Sequence, residues 1–261
     1  MNMKPDYKNW MPKGMVTGFL AAFLGCTLAT IASALCLTGT LKTGVTIVLT
    51  LAAVVFLALT IWSTLMHRAF DYNGKRQMSR QIIEGTASWI SLPNGGKCLD
   101  VGCGSGALGI AVGKRNPRAE IIGIDRWGRE YASFSKQLCE ENARIEGVRN
   151  ISFQKGDAVH LDFPDETFDA VVSNYVYHNI PGDRQQYLLE TLRTLKKGGT
   201  FALHDIFSKS KYGDMRAFLN RLENMGYRHV KLIDTTDGMF MNRTEAAWMG
   251  LNGSALLTGT K

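Results

Sequence analysis

The run Cys98-Leu99-Asp100-Val101-Gly102-Cys103-Gly104-Ser105-Gly106 sets a carboxylate two residues ahead of three alternating glycines. A strand that ends in Asp and enters such a turn lets backbone approach a ligand closely, because no side chains stand in the way. The ligand expected there is nucleotide-like. Gly102-x-Gly104-x-x-Ala107 also satisfies a loose dinucleotide fingerprint, but the charge of Asp100 argues against a dinucleotide. A pyrophosphate over that turn would meet a nearby anion, whereas a sulfonium with an α-amino cation would be stabilised by it. Ile121 to Asp125 ends a second apolar run with another acid, 25 residues after Asp100, where a carboxylate can accept both hydroxyls of a ribose. Asp100, Gly102, Cys103, Gly104, Gly106, Asp125 and the adjoining Arg126 are therefore candidate ligand-binding residues. Taken singly, either acid could instead cap the helix after it. Trp127 either stacks near the base of the ligand or packs on its own helix, and Cys103 is most simply a small loop residue.

Such a site needs a sheet that presents both acids at one edge. Short runs rich in Val and Ile predict strands at Lys97 to Val101, Glu120 to Asp125, Ile151 to Lys155, Asp169 to Ser173 and Thr200 to His204. Helical patterns at Ala107 to Lys114, Tyr131 to Glu146 and Arg184 to Leu195 alternate with them. That repetition specifies an α/β fold with a doubly wound, mostly parallel sheet. Gly147, Lys196-Lys197-Gly198 and Gly226 close helices, the lysines lying at the negative end of a helix dipole. Arg228 to Asp234 and Ser254 to Thr260 supply two last strands. From His67 onward, 195 residues carry 26 Lys or Arg against 22 Asp or Glu. This even mixture leaves no stripe for nucleic acid. Five cysteines without a C-x-x-C pair support neither a zinc ribbon nor a disulfide framework, and no metal is expected.

These motifs resemble the class I S-adenosylmethionine-dependent methyltransferases, over the stretch from Arg76 to Lys261. Asp100 to Gly106 is similar to that family's glycine-rich first motif, and Asp125 to its ribose-binding acid. By the same resemblance Gly156-Asp157-Ala158 looks like the motif that sets an Asp beside the adenine amino group, although Asp157 could also be an ordinary turn residue. Phe168 to Asn174 matches a fourth motif, and Leu195 to Phe201 a fifth. The resemblance implies a Rossmann-like sheet of seven strands with the last antiparallel. It also implies S-adenosyl-L-methionine as cofactor, with Asp157, Ala158 and Asn174 joining the binding residues.

Sheets of this kind bind ligands at the carboxyl edge, where Asn174, Tyr175, Tyr177, His178, His204 and Asp205 fall. A base is useful if the methylated atom is a phenol or enol oxygen, and His178 is the favoured base, with Tyr175 and His204 as further catalytic candidates. Either histidine could instead pack or cap locally. Tyr175, Tyr177 and Tyr212 either wall an apolar acceptor pocket or belong to the core. Asp205 to Asp214 and Thr236 to Asn252 have the lengths of lid segments.

Two stretches, Met15 to Leu37 and Gly44 to Met66, are each 23 residues long and free of Asp, Glu, Lys and Arg. A bilayer core of about 30 Å needs about 20 helical residues, so both are expected to span a membrane. Thr38 to Thr43 then permits only a tight antiparallel hairpin. Lys4, Lys8 and Lys13 precede the first span and Arg68, Lys75, Arg76 and Arg80 follow the second, against Lys42 alone between them. The positive-inside rule places both termini and the catalytic domain in the cytosol. A cleaved signal peptide, with Ala32-Ser33-Ala34 as its small-x-small site, is the alternative for the first stretch. Gly14, Gly18, Gly25 and the neighbouring small residues would let a second helix approach, which allows a homodimer through the membrane helices.

The expected organisation is thus a tail with two spans over 1–66, a basic juxtamembrane linker and leading helix over 67–96, and a methyltransferase domain over 97–261. Tethering to a lipid bilayer favours a lipophilic small-molecule acceptor: a quinone or polyprenoid precursor, a lipid, or a hydrophobic phenol or thiol, methylated by in-line displacement. Three other functions remain open. They are an S-adenosylmethionine sensor without turnover, a methyltransferase acting on membrane protein neighbours, and a nicotinamide-dependent oxidoreductase.

Overall fold

The computed structural model describes residues 4–128 and 133–261. It divides into two compact units, residues 9–80 in one and residues 4–8 with 81–261 in the other.

The smaller unit is a helical hairpin of α1 (Lys13–Cys36) and α2 (Gly39–Phe70). Both helices are long and apolar enough to cross a membrane. The connection is shorter than the sequence suggests, since α2 begins at Gly39 and takes in Lys42. Backbone hydrogen bonding explains this: a helix that continues satisfies its own amides, and nothing between Gly39 and Thr43 breaks it. Inside the hairpin Ser33 Oγ and Thr46 Oγ1 lie 2.8 Å apart, while Asn9 donates to the His67 carbonyl and His67 Nδ1 lies 2.7 Å from the Met11 carbonyl. Leu24, Leu28, Leu35, Val48 and Leu51 project outward and exposed. Among the described residues, and apart from the backbone of their own helix, nothing lies within 4 Å of where a Cβ would stand on Gly14, Gly18 or Gly25, so these glycines do not serve the hairpin's own packing.

In the larger unit α3 (Met78–Ala87) leads into β1 (Lys97–Val101), α4 (Ala107–Arg115), β2 (Glu120–Asp125), α5 (Lys136–Ile145), β3 (Ile151–Lys155) and β4 (Phe168–Asn174). Then follow α6 (Arg184–Arg193), β5 (Leu195–Ile206), α7 (Lys209–Tyr212), α8 (Met215–Asn224), β6 (Arg228–Asp234), α9 (Arg243–Trp248) and β7 (Ser254–Thr260). The seven strands form one sheet in the order β3-β2-β1-β4-β5-β7-β6, with β7 antiparallel to both neighbours. This is the α/β sheet expected. Helix α5 starts at Lys136 rather than Tyr131, because Ser135 caps it by accepting from the Leu138 amide; residues 129–132 lie outside the described residues.

Register positions the site. Val101 pairs with Ile124 and Ser173, and Asn174 with His204, so Asp125, Asn174 and Asp205 finish their strands at one edge. Strands buried on both faces hold them there: Leu99, Val171, Phe201 and Leu203 pack with Leu188 and Leu192 of α6 and Phe218 and Leu222 of α8. On the other face α4 buries Ala107, Leu108, Ile110, Ala111 and Val112. Phe201 is wholly buried, lies edge-on to Tyr227, and fills the space that Gly259 leaves, where a Cβ would meet its ring at 2.8 Å. Phe201→Ala is expected to cost about 3–5 kcal/mol, read as a lower denaturant midpoint at unchanged slope.

Candidate active site

The chain turns from β1 into α4 through Gly102, Gly104 and Gly106, whose φ angles of 71°, 55° and 83° suit residues without a Cβ. At Gly102 the need is also steric, since a Cβ would stand 2.3 Å from Val176. The Gly102 and Cys103 amides donate to the Ile124 carbonyl, which ties the turn to the end of β2.

Asp100 is 1% exposed and accepts from the Gly109 amide at 2.8 Å. Burial pushes its carboxyl up to about 7; the Gly109 amide opposes the shift and the Asp125 charge adds to it. Asp100 therefore reaches a ligand through its field, not as an exposed hydrogen-bonding group. Asp125 does face the turn. One of its oxygens accepts from Gly104 N at 2.9 Å and the other from Trp127 N at 2.7 Å. A carboxylate offers about four lone-pair directions, so each oxygen retains capacity for a ribose hydroxyl. Trp127 donates its indole N–H to the Gly104 carbonyl, and Cys139 of α5 donates its thiol to the same oxygen. Cys103 is buried and its thiol is pushed up by desolvation, which suits a small packing residue. Arg126 is exposed one position beyond. Asp157 lies in a turn after β3, its carboxylate accepting from Val159 N, with Ala158 packed against the core.

These residues fit the implied donor. Positive-φ glycines present backbone, Asp125 has acceptor capacity for a diol, and a buried anion lies behind the turn to complement a cation.

The second cluster stands past β4 and β5. Tyr175 has φ 55°, an uncommon conformation for an aromatic residue, at the point where the chain leaves Asn174. A short 3₁₀ turn, Tyr177–Asn179, follows and carries His178. His178 Nδ1 lies 2.5 Å from Asp205 Oδ1, and its own amide donates to Asp205 Oδ2 at 3.2 Å. Tyr212 donates to the same Oδ2 at 2.9 Å. Asp205 is 1% exposed, whereas the His178 side chain keeps 13% of its surface. The Nε2 atom of His178 has no hydrogen-bond partner among the described residues. The pair with Asp205 fixes the tautomer that leaves Nε2 as an acceptor.

His204 has a different environment. Its Nδ1 pairs with Asn174 Oδ1 at 2.8 Å and its Nε2 with Thr235 Oγ1 at 3.0 Å, under the rings of Tyr175 and Phe240. Burial pushes it down to about 3, so it stays neutral with both nitrogens engaged. Asn174 is thereby occupied by His204. Tyr175 pairs with Ser254 and its phenol is pushed up by burial. Tyr177 is buried against Thr191 in the core. In the expected second lid, Phe240 and Met241 are buried and a Cβ on Gly85 of α3 would strike the Phe240 ring. The residues that sequence reasoning did not single out are Phe134, beside Gly104, together with Ser105, Cys139 and Asn142. Only the glycine-rich run marked any of them, through Ser105.

A family model described as "Methyltransferase domain" matches residues 92–234. The chain is 35% identical over 132 residues to a demethylmenaquinone methyltransferase of Lactobacillus johnsonii, covering 47% of this chain and 52% of the relative. It is 34% identical over 120 residues to a 2-phytyl-1,4-naphtoquinone methyltransferase of Synechococcus elongatus, covering 45% and 49%. The chain thus spans about half the length of the curated relatives it matches. Among solved structures, the [4+2]-cyclase SpnF aligns with a TM-score of 0.54 at 20% identity, covering 73% of this chain and 85% of that one. That likeness concerns the fold alone.

Asp100 gives the site a pH signature. Its folded-state value near 7 lies above the ordinary carboxyl value of about 3.9, so its contribution to the stability of the free protein falls as pH climbs through that interval. A cationic ligand favours the ionised form. Affinity for S-adenosylmethionine is therefore expected to rise with pH, by up to about tenfold per unit below 7, and to level off above it. S-adenosylhomocysteine, which lacks the sulfonium charge, should show a shallower slope, and Asp100→Asn should flatten the profile; calorimetric titration across pH 5.5–8 would measure it.

Proposed function

The chain belongs to the methyltransferase-domain family, and from that membership we propose that it is a membrane-anchored, S-adenosylmethionine-dependent methyltransferase acting on a lipophilic phenol or enol of the quinone-precursor type. The observation that carries this is the seat of Val176 against Gly102, which sets the His178 turn directly beside the glycine-rich turn. That neighbourhood supports His178 as a base acting beside the donor.

Gly102, Gly104 and Gly106 would hold the donor through backbone, Asp125 its ribose, and Asp100 its positive charge. When bound, S-adenosylmethionine supplies an electrophilic methyl group for in-line transfer. The protein's own contribution is alignment and a proton acceptor. His178 Nε2 takes the proton from the acceptor's hydroxyl or from the acidic position beside it. Asp205 stabilises the imidazolium that forms, and the Tyr212 hydroxyl and Ile206 amide share its remaining charge. His204, neutral and doubly bonded, positions Asn174 and Tyr175 and does not exchange protons near neutrality.

Two features support a lipophilic acceptor. The hairpin helices are long and apolar enough to hold the domain at a bilayer, where dissolved lipids reach a high effective concentration. The two relatives are also named for the methylation of quinones. Basic residues flanking the hairpin favour a cytosolic domain.

His178→Ala is expected to lower kcat by about 10²–10⁴-fold with little change in donor affinity, and Asp205→Asn to lower it less. Labelled methyl groups from S-adenosylmethionine should enter the solvent-extractable fraction of membranes. Label confined to water-soluble or protein fractions would overturn the lipophilic acceptor, and donor binding without formation of S-adenosylhomocysteine would make the protein a sensor.

A further inference from the structure

Residues 4–8 precede the helical hairpin in sequence, yet by contact they belong to the catalytic unit. Asn142 of α5, 1% exposed, receives the segment. Its Oδ1 accepts from the Asp6 amide at 2.8 Å, and its Nδ2 donates to the Asp6 carbonyl and to the Ser105 carbonyl, each at 3.0 Å. Ser105 donates its hydroxyl to the Tyr7 carbonyl at 3.0 Å. Tyr7 is 5% exposed and its hydroxyl reaches Glu146 at 3.3 Å. The segment ends in a sharp turn at Lys8, with φ 55° and its amide donating to Asp6 Oδ1.

We infer that residues 4–8 form a clasp that holds the donor-binding turn closed, with Asn142 and Ser105 as positioning residues. The inference rests on the donor assignment made above. Ser105 sits between Gly104, whose amide binds Asp125, and Gly106, which opens α4. The same α5 that carries Asn142 also carries Cys139, whose thiol grips the Gly104 carbonyl. Asp6 and Tyr7 therefore brace the turn from outside while Asp125 braces it from inside. Without the clasp, the Asn142 carbonyl oxygen, one of its amide hydrogens and the Ser105 hydroxyl would exchange fixed protein partners for water, losing the net value of each bond and the geometry they impose on Ser105. The turn would reorganise and the ordered backbone that meets the donor would be lost. By reciprocity a bound donor must tighten the clasp.

The test uses the full chain in detergent, with and without residues 2–7, and Asn142→Asp as a second variant that keeps the acceptor for the Asp6 amide but abolishes both Nδ2 donations. Equilibrium dialysis with labelled S-adenosylmethionine is expected to show at least about tenfold weaker binding in both variants, as a raised donor KM with kcat and acceptor KM nearly unchanged. Hydrogen exchange on the wild-type chain should show the Asp6 amide slowed by S-adenosylhomocysteine. Should the truncated chain fail to fold, Asn142→Asp and the exchange measurement decide. Wild-type donor affinity in a folded variant, a loss spread equally over donor and acceptor, or no change in Asp6 exchange would overturn the clasp. A wild-type chain that binds no S-adenosylmethionine at all would overturn the donor assignment beneath it.

Discussion

A carboxylate without water is unstable unless something answers its charge, and the catalytic unit is organised around one at Asp100. Desolvation raises its proton affinity until the acid is poised near neutrality. The Gly109 amide in the first turn of α4 answers part of that charge, joining the end of β1 to the helix that follows. The turn between them is therefore short and made of residues that tolerate positive φ, because it must double back to bring Gly109 onto the acid. One buried charge thus links strand and helix.

The edge beyond β4 and β5 shows how environment separates like residues. His178 and His204 share a side-chain type and a neighbour, Tyr175. His204 enters the sheet, engages both nitrogens and stays neutral. His178 sits on a turn after the strand, with one nitrogen on a buried acid and the side chain keeping 13% of its surface. The strained Tyr175 makes this possible, since its positive φ turns the chain away from the strand direction and toward Asp205. One histidine is tied into the sheet through both nitrogens, and the other is held through one.

The hairpin follows a simpler physics. Its Leu and Val side chains are exposed among the described residues, while its Thr and Ser hydroxyls bond carbonyls of their own helix, as Thr27 and Thr60 do, or reach across as Ser33 does to Thr46. That inversion suits hydrocarbon better than water. Residues 4–8, ahead of it, belong by contact to the larger unit.

Much of this was legible in the sequence because it depends on local pattern. Alternating apolar runs marked each strand of the sheet, glycine spacing marked the turn, and uncharged length marked the two apolar helices. Helix limits at Gly39 and Lys136 were less legible, since capping by Ser135 and continuation through Lys42 depend on a competition among backbone partners. The roles of Asp205 and Asn142 were not legible at all. Each acts on residues at least 27 positions away, His178 for one and Ser105 and Asp6 for the other. By itself the sequence determined the fold class, the glycine-rich turn after β1 and the amphiphilic division of the chain, for these follow from residue type and period. The tertiary structure alone decided which histidine pairs with Asp205 and which segment bonds Asn142 and Ser105, because hydrogen bonds across long sequence separations exist only once the sheet has brought its edges together.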